Sequence, residues 1–218
     1  LDLAQNQAFL RPVAADYTTH PRQLNDVRIL RSFYHQPLGP ATAFLGAVRV
    51  RRQIAGYTRQ GQTDDTAEGP GELVPLDLPP QSYDTMALWF DVPPDVARTV
   101  MRRRKDFEGG LHAVEHATAG LLPLFTMCDR LDVDGLSTLH HPDTGQAQVF
   151  IYDAYPGGVG ITEQGFALLP ELLQATLKTV QGCPCQDGCP SCIQSPYCGR
   201  NNDPLDKAAA ALILRALS

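Results

Sequence analysis

Several familiar signals are missing from this 218-residue chain. There is no Walker-type Gly-Lys-Thr, so ATP hydrolysis is not expected from these residues alone. There is no G-x-S-x-G and no pairing of cysteine with histidine in sequence that announces a thiol nucleophile. No apolar run approaches a membrane span, which excludes a spanning helix. Internal repeats and low-complexity tracts are absent. No secretory leader opens the chain, and Leu1 stands where an initiator Met is usual, so the sequence reads as a segment of a longer polypeptide. Excess positive charge is also lacking: the net charge is −6. Hydrophobic residues make up 43%, an ordinary share for a chain with a real core.

Cysteine, by contrast, is concentrated. Five of the six cysteines fall within CPCQDGCPSCIQSPYC: Cys183, Cys185, Cys189, Cys192 and Cys198. A Cys-x-Cys pair followed by Cys-Pro-Ser-Cys is the spacing of two tight chelates closing on one ion, and zinc accepts four thiolates in a tetrahedron. Gly188, Pro184 and Pro190 suit the turns such a knuckle needs. A disulfide cluster is the competing reading, but five is odd and free thiols belong to a reducing compartment, the cytoplasm. So many thiolates close a site and leave no open position, which argues for a structural rather than a catalytic metal. Cys185, Cys189 and Cys192 are the firm ligands; spacing leaves the fourth place open between Cys183 and Cys198. Cys128, in an apolar run, reads as a small buried hydrophobe.

The average charge hides an asymmetry. Residues 1–105 carry 13 Lys/Arg and 11 Asp/Glu, residues 106–218 carry 5 and 13. Residues 22–59 hold seven arginines against one acid, Asp26, and Arg102, Arg103, Arg104 and Lys105 follow later. Arginine suits forked phosphate contacts, so Arg49, Arg51, Arg52, Arg102, Arg103 and Arg104 are candidates for a nucleic-acid surface. A solvated face, or an interface with an acidic protein, explains the same composition.

Periodicity divides the chain. Residues 24–30 read as a short strand or helix start. AFLGAVRVRRQIAGYTR alternates apolar with charged side chains, as in exposed strands with arginines outward. Residues 60–72 read as a loop, and YDTMALWFDV as a strand stopped by Pro93 and Pro94. Helical spacing then takes over, in Val96–Phe107 and in Leu111, Val114, Ala117, Leu121 and Phe125, with Pro123 kinking or ending the helix. AQVFIY is a strand buried on both faces. A Gly-rich turn, a helix bearing Leu169, Leu172, Leu173 and Val180, the knuckle, and a last helix over Leu205–Leu217 capped near Asp203 and Pro204 complete the pattern. The expected class is α+β: an antiparallel β module over residues 1–95, then an α/β zinc-binding domain over 96–218.

Two further motifs carry possible chemistry. His112, Glu115 and His116 read H-x-x-E-H, which on a helix sets two imidazoles on one face with a carboxylate between, as in inverted zinc peptidases; a third ligand would come from Glu163 or Glu171. Two histidines satisfying buried hydrogen bonds is the plainer explanation. The run Tyr155–Gly160, with Gly157, Gly158 and Gly160, is either an anion cradle of backbone amides or a tight strand-to-helix turn. A backbone phosphate or an acidic side chain fits such a cradle better than ATP.

LHAVEHATAGLLPLFTMCDRLDVDG, VFIYDAYPGGVGITEQGF and CPCQDGCPSCIQSPYCGRNNDPLDK together resemble the C-terminal region of MrfA-type DNA helicases, the MrfA zinc-binding domain. VAADYTTHPR and LGAVRVRRQIAGY resemble the segment preceding it. The resemblance implies a parent superfamily-two helicase that moves 3′ to 5′ on single-stranded DNA and serves DNA repair, with ATP and Mg2+ held in a core upstream of these residues. It implies one structural zinc on Cys183, Cys185, Cys189 and Cys192, with Cys198 as rival, and no peptidase role for His112, Glu115 and His116. The implied partners are single-stranded DNA and the helicase core of the same polypeptide, in a monomer without membrane contact. A free-standing zinc hydrolase and a protein-interaction module with architectural zinc are the alternatives.

Overall fold

The computed structural model describes residues 4–5, 7–10, 12–61 and 73–218. Most of the loop expected at 60–72 lies outside them. The chain is mixed α and β, with an antiparallel sheet near its start and helices in its C-terminal part. Strands β1 (Tyr17–Leu38), β2 (Ala41–Gly61), β3 (Leu73–Pro75) and β4 (Gln81–Val92) come first. Helices α1 (Pro94–Arg102) and α2 (Phe107–Thr126) follow, then β5 (Val133–Thr138), β6 (Ala147–Asp153), α3 (Ile161–Ala167), α4 (Leu169–Gly182) and α5 (Lys207–Leu217). The sheet order is β1-β2-β4-β6-β5, with β3 on β2 and every pair antiparallel. The expected division at residue 95 therefore crosses a continuous sheet, because β6 pairs with β4. Among the described residues no helix is long and apolar enough to cross a membrane.

Alternation along the strands sorts side chains onto two faces. Leu45, Leu88, Phe90, Val149 and Ile151 face the helices and join their core. Val27, Val48, Val50, Trp89, Phe150 and Tyr152 form a second apolar cluster on the other face. Phe44, Trp89 and Phe150 stack in series across three strands, with ring centroids 5.5 and 5.6 Å apart. The sheet curls around this face. Arg52 on β2 bonds Asp134 on β5 at 2.8 Å, although three strand spacings in a flat sheet would separate those strands by roughly 14 Å. Three register shifts in the long β1–β2 ladder supply bends of the kind bulges give. The β5–β6 turn then reaches β1: His141 Nε2 lies 2.9 Å from the Val27 carbonyl, and Asp143 accepts from the Ile29 amide at 2.9 Å.

Helix α2 is buried almost all round, as expected of a helix enclosed by a sheet and other helices. Its Gly110 has no room for a side chain: a Cβ there would lie 2.6 Å from the Ala209 Cβ of α5. Pro123 neither ends nor replaces the last turn. The helix runs on to Thr126 and stops at Met127, at φ 52°, whose amide donates a hydrogen bond to the Pro123 carbonyl. The cap of α5 is Asp206, which accepts from the Ala209 amide at 2.8 Å, three residues beyond the expected Asp203.

Candidate metal centres and the arginine surface

Helix α4 delivers Cys183 as its C-terminal cap, and the chain turns back on itself at once. Cys183, Cys185, Cys189 and Cys192 converge, all four sulfurs lying within 4.8 Å of one another. Contacts run 3.5 Å for Cys183–Cys185, Cys183–Cys189 and Cys185–Cys192, and 3.8 Å for Cys189–Cys192. A tetrahedral zinc with sulfur at about 2.3 Å requires sulfur–sulfur edges of about 3.8 Å, so the quartet fits the ion. Lys207 at the head of α5 donates to the carbonyls of Cys183 and Cys185 and to the Cys185 sulfur. Its ammonium is placed to offset the negative charge of a four-thiolate site. Burial works against ionising Cys185, but hydrogen bonds from Cys183, Cys192 and Lys207 outweigh it and lower that thiol to about 6. Burial and the neighbouring sulfurs push Cys192 up to about 12. One charge is welcome in the cluster and four are not, unless a cation joins them.

Cys198 stands outside the quartet. Its sulfur lies 3.3 Å from His112 Nε2, and His112, His116 and Cys198 place one ligand atom each within 4.8 Å of one another. The histidine rings sit 4.3 Å apart, centroid to centroid, at 60°. Burial lowers both imidazoles; His116, also facing His112, falls to about 4. Burial raises Glu115 to about 7. These residues line a cleft of about 330 Å³ bordered by Arg130, Ser137, Tyr197 and Arg200. Among the described residues neither Glu163 nor Glu171 joins the histidines; Glu163 contacts Thr162 at the start of α3.

The glycine-rich turn closes on its own chain. The Asp153 carboxylate, at the end of β6, accepts from the amides of Val159 at 2.6 Å, Gly160 at 3.1 Å and Thr162 at 3.0 Å. The amides expected to cradle an anion thus hold a buried carboxylate from the preceding strand. Gly158, at φ 76°, packs on Met86, where a Cβ would meet the Met86 Cγ at 2.8 Å. Cys128 is half-buried against the helical core and accepts a hydrogen bond from the Thr126 hydroxyl at 3.3 Å.

The arginines are not equivalent. Arg49 forks onto Asp84 of β4 at 2.6 and 2.9 Å. Arg52 is half-buried against Asp134 and the rings of Tyr83 and Tyr152. Arg51, exposed between them, forms no ion pair among the described residues. Arg102, Arg103 and Arg104 are exposed at the end of α1, and Arg103 and Lys105 line a shallow groove beside α5 with Arg215. Alternation along β2 does not reveal that Asp84 and Asp134 meet two of its arginines; the β2–β4 register sets Asp84 opposite Arg49, and the curl of the sheet brings Asp134 to Arg52.

Residues 114–193 match the family model of the MrfA Zn-binding domain. The chain is 37% identical over 110 residues to the uncharacterized protein MJ1572.1 of Methanocaldococcus jannaschii, across 49% of this chain and 98% of that one. It is 28% identical over 196 residues to the uncharacterized ATP-dependent helicase YprA of Bacillus subtilis, covering 88% of this chain and 25% of the helicase. Its fold matches the crystal structure of DUF1998 helicase MrfA bound to DNA with a TM-score of 0.66 at 24% identity, over 100% of this chain and 28% of that one. It therefore spans about a quarter of the helicases it matches. The chain belongs to the MrfA Zn-binding domain family.

Proposed function

We propose, from that membership, that the chain is the zinc-bearing accessory module of an ATP-dependent DNA helicase acting in repair, and that its metal is architectural. The sulfur quartet carries the reading. Cys183, Cys185, Cys189 and Cys192 complete a tetrahedron, which leaves no position for substrate. When bound, zinc supplies a cross-link between the end of α4 and the loop that leads to α5. Lys207 ties that loop to α5 through the Cys183 and Cys185 carbonyls. Cys192 and Ile193 are packed into the helical core, so the knuckle fixes the seat of α5.

The exposed arginines give the module its contact with single-stranded DNA, as point contacts to phosphate that position the strand without reading sequence. Of the candidate arginines, Arg51 and the Arg102–Arg104 cluster have no carboxylate partner among the described residues, and Arg49 joins them only by giving up Asp84. The edge strand β1 exposes Leu24, Leu30, Phe33 and Tyr34, an apolar stripe suited to packing on the helicase core of the same polypeptide. Six free cysteines accord with a reducing compartment such as the cytoplasm.

The test is binding of a labelled single-stranded oligonucleotide across a salt series, with the chain zinc-loaded and monomeric by sedimentation. Affinity that falls steeply with salt, and falls further in Arg51→Ala and Arg103→Ala, supports the reading. A flat salt response from the folded protein would sink the DNA role and favour an interaction module that meets an acidic protein.

A further inference from the structure

The fifth clustered cysteine faces a different set of ligands from the other four. We propose that His112, His116 and Cys198 form a second metal site, holding one divalent cation of borderline softness, zinc foremost, with a fourth position open to the cleft.

The tautomers are set for it. His112 Nδ1 lies 2.8 Å from the Pro204 carbonyl, and His116 Nδ1 lies 2.9 Å from the Ile193 carbonyl. A carbonyl only accepts, so each ring carries its hydrogen on Nδ1 and keeps a lone pair on Nε2. Fixing a ligating imidazole through its other nitrogen is the usual arrangement around a bound metal. The spacing is set too. Four residues apart on α2, the two rings share one face and converge on the same volume as the Cys198 sulfur. Without a cation, a single thiol hydrogen has two imidazole lone pairs nearby and satisfies one of them, that of His112. A cation satisfies both.

Burial raises the Cys198 thiol, and two backbone amides work against that rise. Its sulfur accepts from the amides of Arg200 and Asn202, each at 3.3 Å. Asn201 and Asn202, at φ 56° and 58°, hold the turn that aims those amides at it. Donors of this kind favour the deprotonated sulfur, the only form that ligates. Binding forms one metal–sulfur and two metal–nitrogen bonds and releases the Cys198 thiol proton to solvent. Two nitrogens and one sulfur suit zinc, and three protein ligands leave a position for water or a ligand oxygen. The closed quartet has no such vacancy. Arg130, Ser137 and Arg200 line the same cleft and would receive an anionic or polar ligand there, Arg200 while it also holds Glu108 at 2.6 Å. The two centres share one loop, since Ile193, which orients His116, directly follows Cys192.

The whole chain, reduced, metal-stripped and titrated with Co2+ under exclusion of oxygen, tests this. Absorption of the cobalt centres and metal retained after gel filtration are the readouts. Two equivalents per chain are expected, one with a four-sulfur spectrum and one with the weaker thiolate-to-metal band of a single sulfur. Cys198→Ser and His116→Ala should each lower the stoichiometry from two to one while leaving the four-sulfur spectrum, which also reports that the variant is folded. Saturation of the unmodified chain at one equivalent with only the four-sulfur spectrum overturns the proposal. So do folded variants that still bind two.

Discussion

The sulfur knuckle and the arginine-bearing strand are both dense clusters of one residue type, yet their side chains have opposite fates. In the knuckle four cysteines turn toward one point, within 4.8 Å of each other. On β2 the arginines diverge: Arg49 to Asp84, Arg52 into the curled face beside Asp134, Arg51 to solvent. Like thiolates gather because a cation can join them. Arg49, Arg51 and Arg52 share no such common partner among the described residues, so the first and last pair with separate carboxylates and Arg51 faces solvent. Density of a residue type in sequence therefore marks a site only when an internal partner can collect it.

The largest effect should come from breaking the gathered cluster. Cys189→Ser is expected to remove the quartet's zinc and the cooperative melting of the α4–α5 layer. Structural zinc in small peptides binds with about 10–16 kcal/mol, as much as a whole domain's stability of about 5–15 kcal/mol. Metal analysis and thermal melting with and without chelator check this, and an unchanged melt in chelator would contradict an architectural metal. Trp89→Ala should cost about 3–5 kcal/mol by emptying the centre of the stacked Phe44–Trp89–Phe150 row. Its metal content should stay intact, showing by denaturant unfolding and metal analysis that the curled face depends on packing.

Smaller effects sharpen the arginine half of the contrast. Arg52→Ala leaves Asp134 without its partner in a half-buried place and should cost about 1–3 kcal/mol. Adding Asp134→Ala should restore part of that in a double-mutant cycle. Arg51→Ala should change stability by less than about 0.5 kcal/mol while lowering the salt slope of single-stranded DNA binding by about 0.7. Arg49→Ala should weaken DNA binding less than Arg51→Ala, because its guanidinium already holds Asp84. Equal losses from the two would mean that the Asp84 pair opens freely on contact with phosphate.

Legibility in the sequence followed the range of the interaction. The helices α2 and α4 were readable from their apolar spacing, and β4 from an apolar, aromatic run stopped by Pro93 and Pro94. The length of β1 was not: Tyr17–Leu38 is largely exposed, so the burial pattern that betrays a strand is weak there. Strand β5 escaped notice for a related reason, being short with its side chains mostly half-buried. Pro123 did not end the helix, because a proline in the final turns removes little from a helix already held by packing. The Gly157–Gly160 turn offered amides to an anion, and the anion proved to be Asp153, a few residues back in the chain.

The sequence by itself determined that sulfur near the carboxyl end would grip a metal, since a Cys-x-Cys and a Cys-Pro-Ser-Cys joined by a glycine turn have few ways to point their sulfurs except together. Tertiary structure alone separated the fifth thiol from the quartet, because its partner, His112, lies 86 residues away on α2. It also chose which arginines remain open, through carboxylates 35 and 82 residues distant. Local spacing constrains only a few backbone torsions. Contacts across such distances exist only once the sheet has curled and the helices have closed on it.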